Sequence, residues 1–395
     1  MISEKMQSLT KGSSAIRAMF EEGKRLAEIY GKENVYDFSL GNPSVPAPES
    51  VKNAIISITE SADPCFLHGY TNNSGYEDVR SSLAEYINKN FGTDLTFKNF
   101  IMTTGAAAAL NIIFRCILNP GEEVIAFAPY FGEYKNYVAL CDGSLTEVKP
   151  DLSTFLPDIS DFESKINEKT RAVIINSPNN PTGVIYPEDT ICTIADILER
   201  AQKKYGKPIF IISDEPYRQL VYTGATVPFI TKYYANSFVA YSYSKALSLP
   251  GERIGYVLVN TAMEDFENMV FALNVANRIT GFVNAPSLMQ RVIMQCLNDT
   301  ADLSVYAENR DRLYHMLTSL GFEMAKPDGA FYMFPKALIA DDVEFCSRAK
   351  ELRLLLVPGS SFAAPGYFRI AYCVSPETIE NSFAGFKKLS EMFKR

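Results

Sequence analysis

Between residues 100 and 260 the chain alternates short apolar runs with longer segments of helical spacing, and nothing else in it restricts the fold as much. Apolar runs at 100–103, 124–127, 145–148, 172–175, 209–212, 238–240 and 254–259 read as strands. Segments at 106–114, 134–140, 159–166 and 187–205 carry the helical period between them. Parallel neighbours in a sheet need a long crossover, and helices of this length provide it. The expected architecture is therefore α/β: a mainly parallel seven-stranded sheet with helices on both faces. In such sheets ligands lie beyond the carboxyl ends of the strands.

Polar residues collect just past those ends. Tyr130 follows the run ending at Phe127, Asn179-Asn180-Pro-Thr-Gly183 follows Ile175, and Asp214-Glu-Pro-Tyr217 follows Ile212. Thr104-Gly105 passes one strand straight into an alanine-rich helix beginning at Ala106. Such a junction is either a tight turn or an anion site, because it leaves N–H groups free at the positive end of a helix. The run at 238–240 leads into Ser242-Tyr-Ser-Lys245, with Arg253 eight residues further on. A lysine amine can form a Schiff base with an aldehyde, and Ser242, Ser244 and Arg253 can bind a phosphate on the same molecule. Pyridoxal phosphate carries both groups. In isolation, Ser-x-Ser-Lys is a common string and a loop lysine is usually solvated.

Composition narrows the partners. A chain of 395 residues, 47% hydrophobic and 21% charged, can bury a large core and suggests two domains. Its net charge of -8 argues against nucleic acid or an anionic membrane and for small-molecule ligands. Seven cysteines scattered singly and only two histidines suggest no metal site, disulfide framework or Ser-His-Asp triad. No Gly-x-Gly-x-x-Gly follows a strand, which sets aside a nicotinamide-binding reading. The N-terminus lacks the apolar stretch of a signal peptide, and no run reaches membrane-spanning length, so a cytoplasmic location is expected.

Outside the alternating region, residues 13–30 read as an arm helix stopping near Gly31. The stretch 36–48 is a short strand that breaks into glycine and prolines, either a plain connection or a lid whose Gly41 brings backbone near a ligand. Helices are expected at 51–58 and 76–91, with a polar loop at 70–75 between them. Beyond 260 come helices at 263–279 and 286–297 and a long one through Leu320. Short strands at 330–334, 354–357 and 368–373 and a final helix from Pro376 complete the reading.

Taken together and in order, Tyr70 to Gly75, Thr104-Gly105, Pro129-Tyr130, Asn179 to Gly183, Asp214 to Tyr217, Ser242-x-Ser-Lys245, Arg253-Ile-Gly and Phe368-Arg369-Ile resemble the class I and II aminotransferases. This is the aspartate-aminotransferase-like family, fold type I of the pyridoxal phosphate enzymes, and the resemblance spans nearly the whole chain. It implies a large cofactor-binding domain at about 45–280 and a small α/β domain formed by 1–44 and 281–395. It also implies a homodimer with the site at the subunit boundary. By that resemblance Lys245 holds the cofactor and, once displaced by the substrate amine, moves the proton. Asp214 pairs with the pyridine nitrogen, Tyr217 and Asn180 bond the ring's phenolic oxygen, and Tyr130 stacks on the ring. Backbone groups of Gly105, Ala106 and Ala107 hold the phosphate with Ser242, Ser244 and Arg253, and Tyr70 reaches it from the partner subunit. Arg369 grips the substrate carboxylate, helped by Asn180 and the backbone near Gly41.

The resemblance implies transfer of an amino group between an L-amino acid and a 2-oxo acid. A β- or γ-eliminating lyase, including one acting on carbon–sulfur bonds, is the alternative on the same fold. One position departs from the pattern: Ala107 stands where relatives place a phosphate-binding hydroxyl or a lysine that reads a second substrate carboxylate. Arg17 or Lys11 on the arm could supply that charge instead.

Overall fold

The structure, a computed structural model, describes residues 2–10 and 15–393, the latter with side chains from Met19 onward. Lys11 and the side chain of Arg17 lie outside the described residues. The arm helix Ala15–Tyr30 is preceded by a short helix, Glu4–Thr10, and followed by strand β1 (Tyr36–Asp37).

Seven strands form the main sheet: β2 (Phe100–Thr103), β3 (Glu123–Phe127), β4 (Ser144–Val148), β5 (Thr170–Asn176), β6 (Phe210–Asp214), β7 (Ser237–Ser242) and β8 (Gly255–Val259). Their spatial order is β2-β8-β7-β6-β5-β3-β4. Neighbours from β7 to β4 are parallel, whereas β8 runs against both β7 and β2. Only a one-turn helix, Tyr243–Ala246, and a turn separate β7 from β8. That is too little chain to cross back to a parallel position.

All residues of β2, β6, β7 and β8 are buried, as expected of strands covered on both faces. Alternate side chains go to opposite sides. Met102, Val173, Ile211 and Val239 pack under helices Glu49–Ser61, Glu77–Phe91, Glu188–Tyr205 and Ser287–Gln295. Ile101, Ile174, Ile212 and Ala240 pack under Ala106–Ile117, Glu133–Leu140 and Phe266–Ile279.

A separate apolar core is built around Phe38, Tyr306, Leu313, Phe345, Phe368 and Phe386. Its antiparallel sheet has the order β11-β12-β9, from β9 (Tyr332–Met333), β11 (Val357–Pro358) and β12 (Phe368–Ala371), while β10 (Leu354–Leu355) pairs in parallel with β1. The stretch expected as one strand at 354–357 is thus divided between two sheets. Helices Ser304–Ser319, Asp342–Glu351 and Pro376–Phe393 cover this core. Helices Glu4–Thr10, Pro64–His68 and Asp342–Glu351 were not expected; Asp63 caps the second by accepting from the Phe66 N–H, and proline opens it.

The two cores are stitched together by backbone. The N–H groups of Asp328 and Gly329 donate to the Gly183 carbonyl at 3.1 and 2.9 Å, and that of Ala330 donates to Leu220 O at 2.9 Å. This seam lies beside the carboxyl rim of the parallel strands.

Candidate active site

A half-open cavity of about 250 Å³ lies at the rim, between the main sheet and the second core. The main sheet contributes Asn176 from the end of β5, Asp214 from the end of β6 and, after β7, Lys245. Leu40 and Gly41 come from the N-terminal segment, and Tyr332 and Arg369 from the second core. Ala106, Ala107, Phe131, Asn180 and Tyr217 also line it.

Lys245 sits on the one-turn helix because Ser242, its N-cap, accepts from the Ser244 N–H at 3.2 Å. Its Nζ donates to the Gly41 carbonyl at 2.6 Å. Burial pulls the ammonium pKa down to about 8, with the positive charges of Arg369 and Arg253 acting in the same direction. Glycine is needed at 41, since a Cβ there would overlap the Tyr332 hydroxyl.

Asp214 has unequal oxygens. Oδ2 accepts from Tyr134 Oη at 2.5 Å, whereas Oδ1 is buried without a hydrogen-bond partner. Burial lifts this carboxyl to about 7, and the adjacent Glu215 charge adds to the rise while the Tyr134 hydrogen bond opposes it. An unanswered buried carboxylate oxygen is costly, and a cationic N–H donor is the group that relieves it. Asn176 steadies the surroundings, with Nδ2 donating to the Asp214 carbonyl at 2.9 Å and Oδ1 accepting from the Asn180 N–H at 2.7 Å.

Arg369 is only 2% exposed and has no carboxylate partner among the described residues. Its guanidinium lies between the Tyr332 and Phe362 rings, 4.5 and 4.8 Å from their centroids. Nη1 donates to Asn180 Oδ1 at 3.0 Å and Nη2 to Ser39 O at 2.5 Å, leaving Nε without a partner. A buried cation with no counter-ion favours an anion beside it. Tyr217 faces the same space and shares a 2.8 Å hydrogen bond with Tyr332 Oη.

At the other end, Gly105 has φ +90, where a Cβ would also come within 2.6 Å of Arg253 Nη2. Arg253 Nη1 reaches Ser244 Oγ at 3.4 Å, and Ser242 Oγ lies 2.7 Å from Ser244 Oγ. Gly105, Ser242, Ser244 and Arg253 therefore gather at the N-terminus of helix Ala106–Ile117, a place suited to a phosphate.

Gly105, Ser242, Ser244 and Arg253 do not line the cavity itself but cluster just beyond Ala106 and Ala107, whereas Tyr130 and Tyr70 lie away from both groups. Tyr130 is buried and turned toward β4, where its hydroxyl donates to Glu147 Oε1 at 2.7 Å. Glu147 is the acceptor that draws it away, and the next residue, Phe131, lines the cavity instead. Tyr70 is 92% exposed and is not among the residues lining this chain's own cavity. Sequence reading passed over Phe131, Tyr134, Asn176 and Tyr332. Asn176 lies one residue beyond an expected strand and was within reach of it, but Tyr332 carries no local sign because it enters from the other core.

Residues 33–385 match the model of the aminotransferase class I and II family. The chain belongs to that family. An aspartate aminotransferase of Thermotoga maritima is 30% identical to it, over 92% of this chain and 93% of the relative. One from Pyrococcus horikoshii is 30% identical over 96% and 95%. Among solved structures, an aminotransferase from Eubacterium rectale has a TM-score of 0.97 and 49% identity, covering all of both chains. The aspartate aminotransferase of Thermus thermophilus with maleate has a TM-score of 0.87 and 26% identity, over 98% and 99%. This class I and II member is a pyridoxal phosphate-dependent aminotransferase, of the aspartate-aminotransferase-like type. The unpartnered Asp214 oxygen, the desolvated Lys245 and the donors around Arg253 fit that cofactor's pyridine nitrogen, aldehyde and phosphate.

Proposed function

We propose that the enzyme moves an amino group between an aspartate-like L-amino acid and a 2-oxo acid, with Lys245, Asp214 and Tyr217 as its catalytic side chains. The observation that carries this reading is Arg369, a buried cation that faces the Lys245 cavity with no counter-ion of its own among the described residues. One carboxylate there would orient the substrate's α-carbon toward Lys245.

When bound, pyridoxal phosphate supplies a conjugated ring that takes up the electron pair left at the substrate's α-carbon. Lys245 would attach the cofactor and, once released, carry the α-proton, a task for which a pKa near 8 suits it. Asp214 would hold the ring nitrogen in its protonated form. Tyr217 and Asn180 would donate to the phenolic oxygen, and Phe131 would cover a ring face. Ser242, Ser244, Arg253 and the N–H groups of Ala106 and Ala107 would hold the phosphate, with Gly105 keeping that approach open.

The aspartate-like substrate rests on the relatives' names. Lys245 and Arg369 are the only cations among the described residues lining the cavity, so a second carboxylate would be met by the arm or a partner subunit. A homodimer is part of this reading, with the exposed Tyr70 reaching the partner's phosphate site. So are a cytoplasmic location and a division into about 45–280 and 1–44 with 281–395, with the second boundary moved past helix Ser287–Gln295, which packs in the main-sheet core. No helix among the described residues is long and apolar enough to cross a membrane.

Single amino acids mixed with the yellow enzyme give the test. Aspartate or glutamate alone should bleach the cofactor band and release one oxo acid per site, with turnover only when a 2-oxo acid is added. Continuous oxo acid release without an acceptor would overturn transamination, and bleaching by monocarboxylic amino acids alone would overturn the aspartate-like substrate.

A further inference from the structure

A phosphate monoester presents three strongly accepting oxygens, and the donors around Arg253 are already committed in part. Arg253 Nη1 donates to Pro250 O at 3.0 Å and to Ser244 Oγ at 3.4 Å, and Nη2 donates to Thr104 O at 3.1 Å. The Ser242 and Ser244 hydroxyls bond one another. Ala106 and Ala107, on the cavity side of the helix's first turn, carry no hydroxyl.

Helix Glu133–Leu140 places a second tyrosine at the same cavity. Tyr134 and Tyr137 are three residues apart and share a helix face. The Tyr134 hydroxyl is taken by Asp214. Tyr137 lines the cavity with Ala106, Ala107 and Leu110, and its hydroxyl makes no hydrogen bond among the described residues. It shares the cavity wall with Asp214 and with Ala106 and Ala107, which open the helix whose preceding residues, Thr104 and Gly105, Arg253 adjoins. Burial raises its pKa well above the usual phenol value, Glu133 and Asp214 add to the rise, and Arg253 only partly opposes it. The phenol is therefore protonated at neutral pH and can donate.

We propose that Tyr137 donates a hydrogen bond to the phosphate of bound pyridoxal phosphate, supplying from a neighbouring helix the hydroxyl that Ala107 lacks. Tyr137 is then a cofactor-holding residue whose contribution is specific to the phosphate.

The test compares binding of pyridoxal phosphate and of pyridoxal, which lacks the phosphate, to cofactor-stripped wild type and Tyr137→Phe. Equilibrium dialysis or the absorbance of the attached cofactor gives the affinities. The variant should bind pyridoxal phosphate roughly tenfold more weakly, as for one hydrogen bond to a charged acceptor, and bind pyridoxal as wild type does. Adding Ala107→Ser to Tyr137→Phe should recover affinity for pyridoxal phosphate alone. Equal weakening of both ligands would make Tyr137 a ring contact or a packing residue, and unchanged affinity for both would remove it from the cofactor site; either result overturns the proposal.

Discussion

Asp214 and Glu215 are consecutive carboxylates at the end of β6, both buried, yet their surroundings are opposite. Glu215 accepts from Ser213 Oγ at 2.7 Å and from Arg218 at both oxygens, with Nη2 at 2.6 Å. Arg218 continues to the carbonyls of Val227 and Pro228 and lies 5.3 and 5.1 Å from the Phe91 and Phe229 ring centroids. Asp214 keeps one oxygen without any partner. The same contrast separates the arginines: Arg218 is matched by a carboxylate, whereas among the described residues no carboxylate pairs with Arg369. A buried charge answered inside the protein serves the fold, because removing its partner exposes the whole desolvation cost. A buried charge left partly unanswered is held ready for a ligand.

The largest test of this contrast is Asp214→Asn. Turnover should fall by about a thousandfold, since the ring nitrogen loses its anionic partner, while the stability of the cofactor-free protein should not decrease. Steady-state rates beside thermal melts check both; a loss of fold matching the loss of rate would erase the distinction between the two carboxylates. Glu215→Ala should show the reverse. Arg218 would be left buried and unpaired at a cost of about 3–5 kcal/mol in denaturant unfolding, with turnover per folded molecule changed less than about threefold.

Acidity sharpens the comparison further. In the cofactor-free protein the Asp214 pKa is raised to about 7 from the ordinary 3.8. The folded state therefore binds the extra proton, and this stabilising contribution is fully present below the ordinary value and is lost as pH rises through about 7. Between pH 5 and 8, wild type stripped of cofactor should lose about 3 kcal/mol relative to Asp214→Asn. Parallel pH profiles would sink the assignment of Asp214 as a carboxyl buried at a cost. The smallest effect expected is that of Arg369→Lys. A point charge cannot reproduce the planar fork, so kcat/KM should fall by roughly tenfold while cofactor content stays that of wild type. Unchanged efficiency and unchanged binding of an unreactive dicarboxylate would take the carboxylate role away from this arginine.

Much of this architecture could be read from the chain. The strand and helix alternation from Phe100 to Val259 matches the observed elements to within a few residues, because apolar periodicity is a local property that each element carries by itself. The reversed β8 was also latent in the short connection after Ser242. The error at Tyr130 has a different origin. Two adjacent aromatics, Tyr130 and Phe131, look equivalent in sequence, and the Tyr130 hydroxyl's partner, Glu147, lies on another strand that no local window around Tyr130 contains.

The sequence by itself determined the order of the elements and the rim on which Asn180, Asp214 and Lys245 would collect, since strand ends in a parallel sheet share one edge. It also supplied the residue types that suit an aldehyde and a phosphate. Tertiary structure alone decided which of those groups would find partners. Lys245 meets the Gly41 carbonyl across 204 positions, Arg369 meets Asn180 across 189, and Asp214 Oδ1 meets none. Whether a buried polar atom is satisfied depends on groups that no local window contains, and at this site the unsatisfied atoms are the ones that define what can bind.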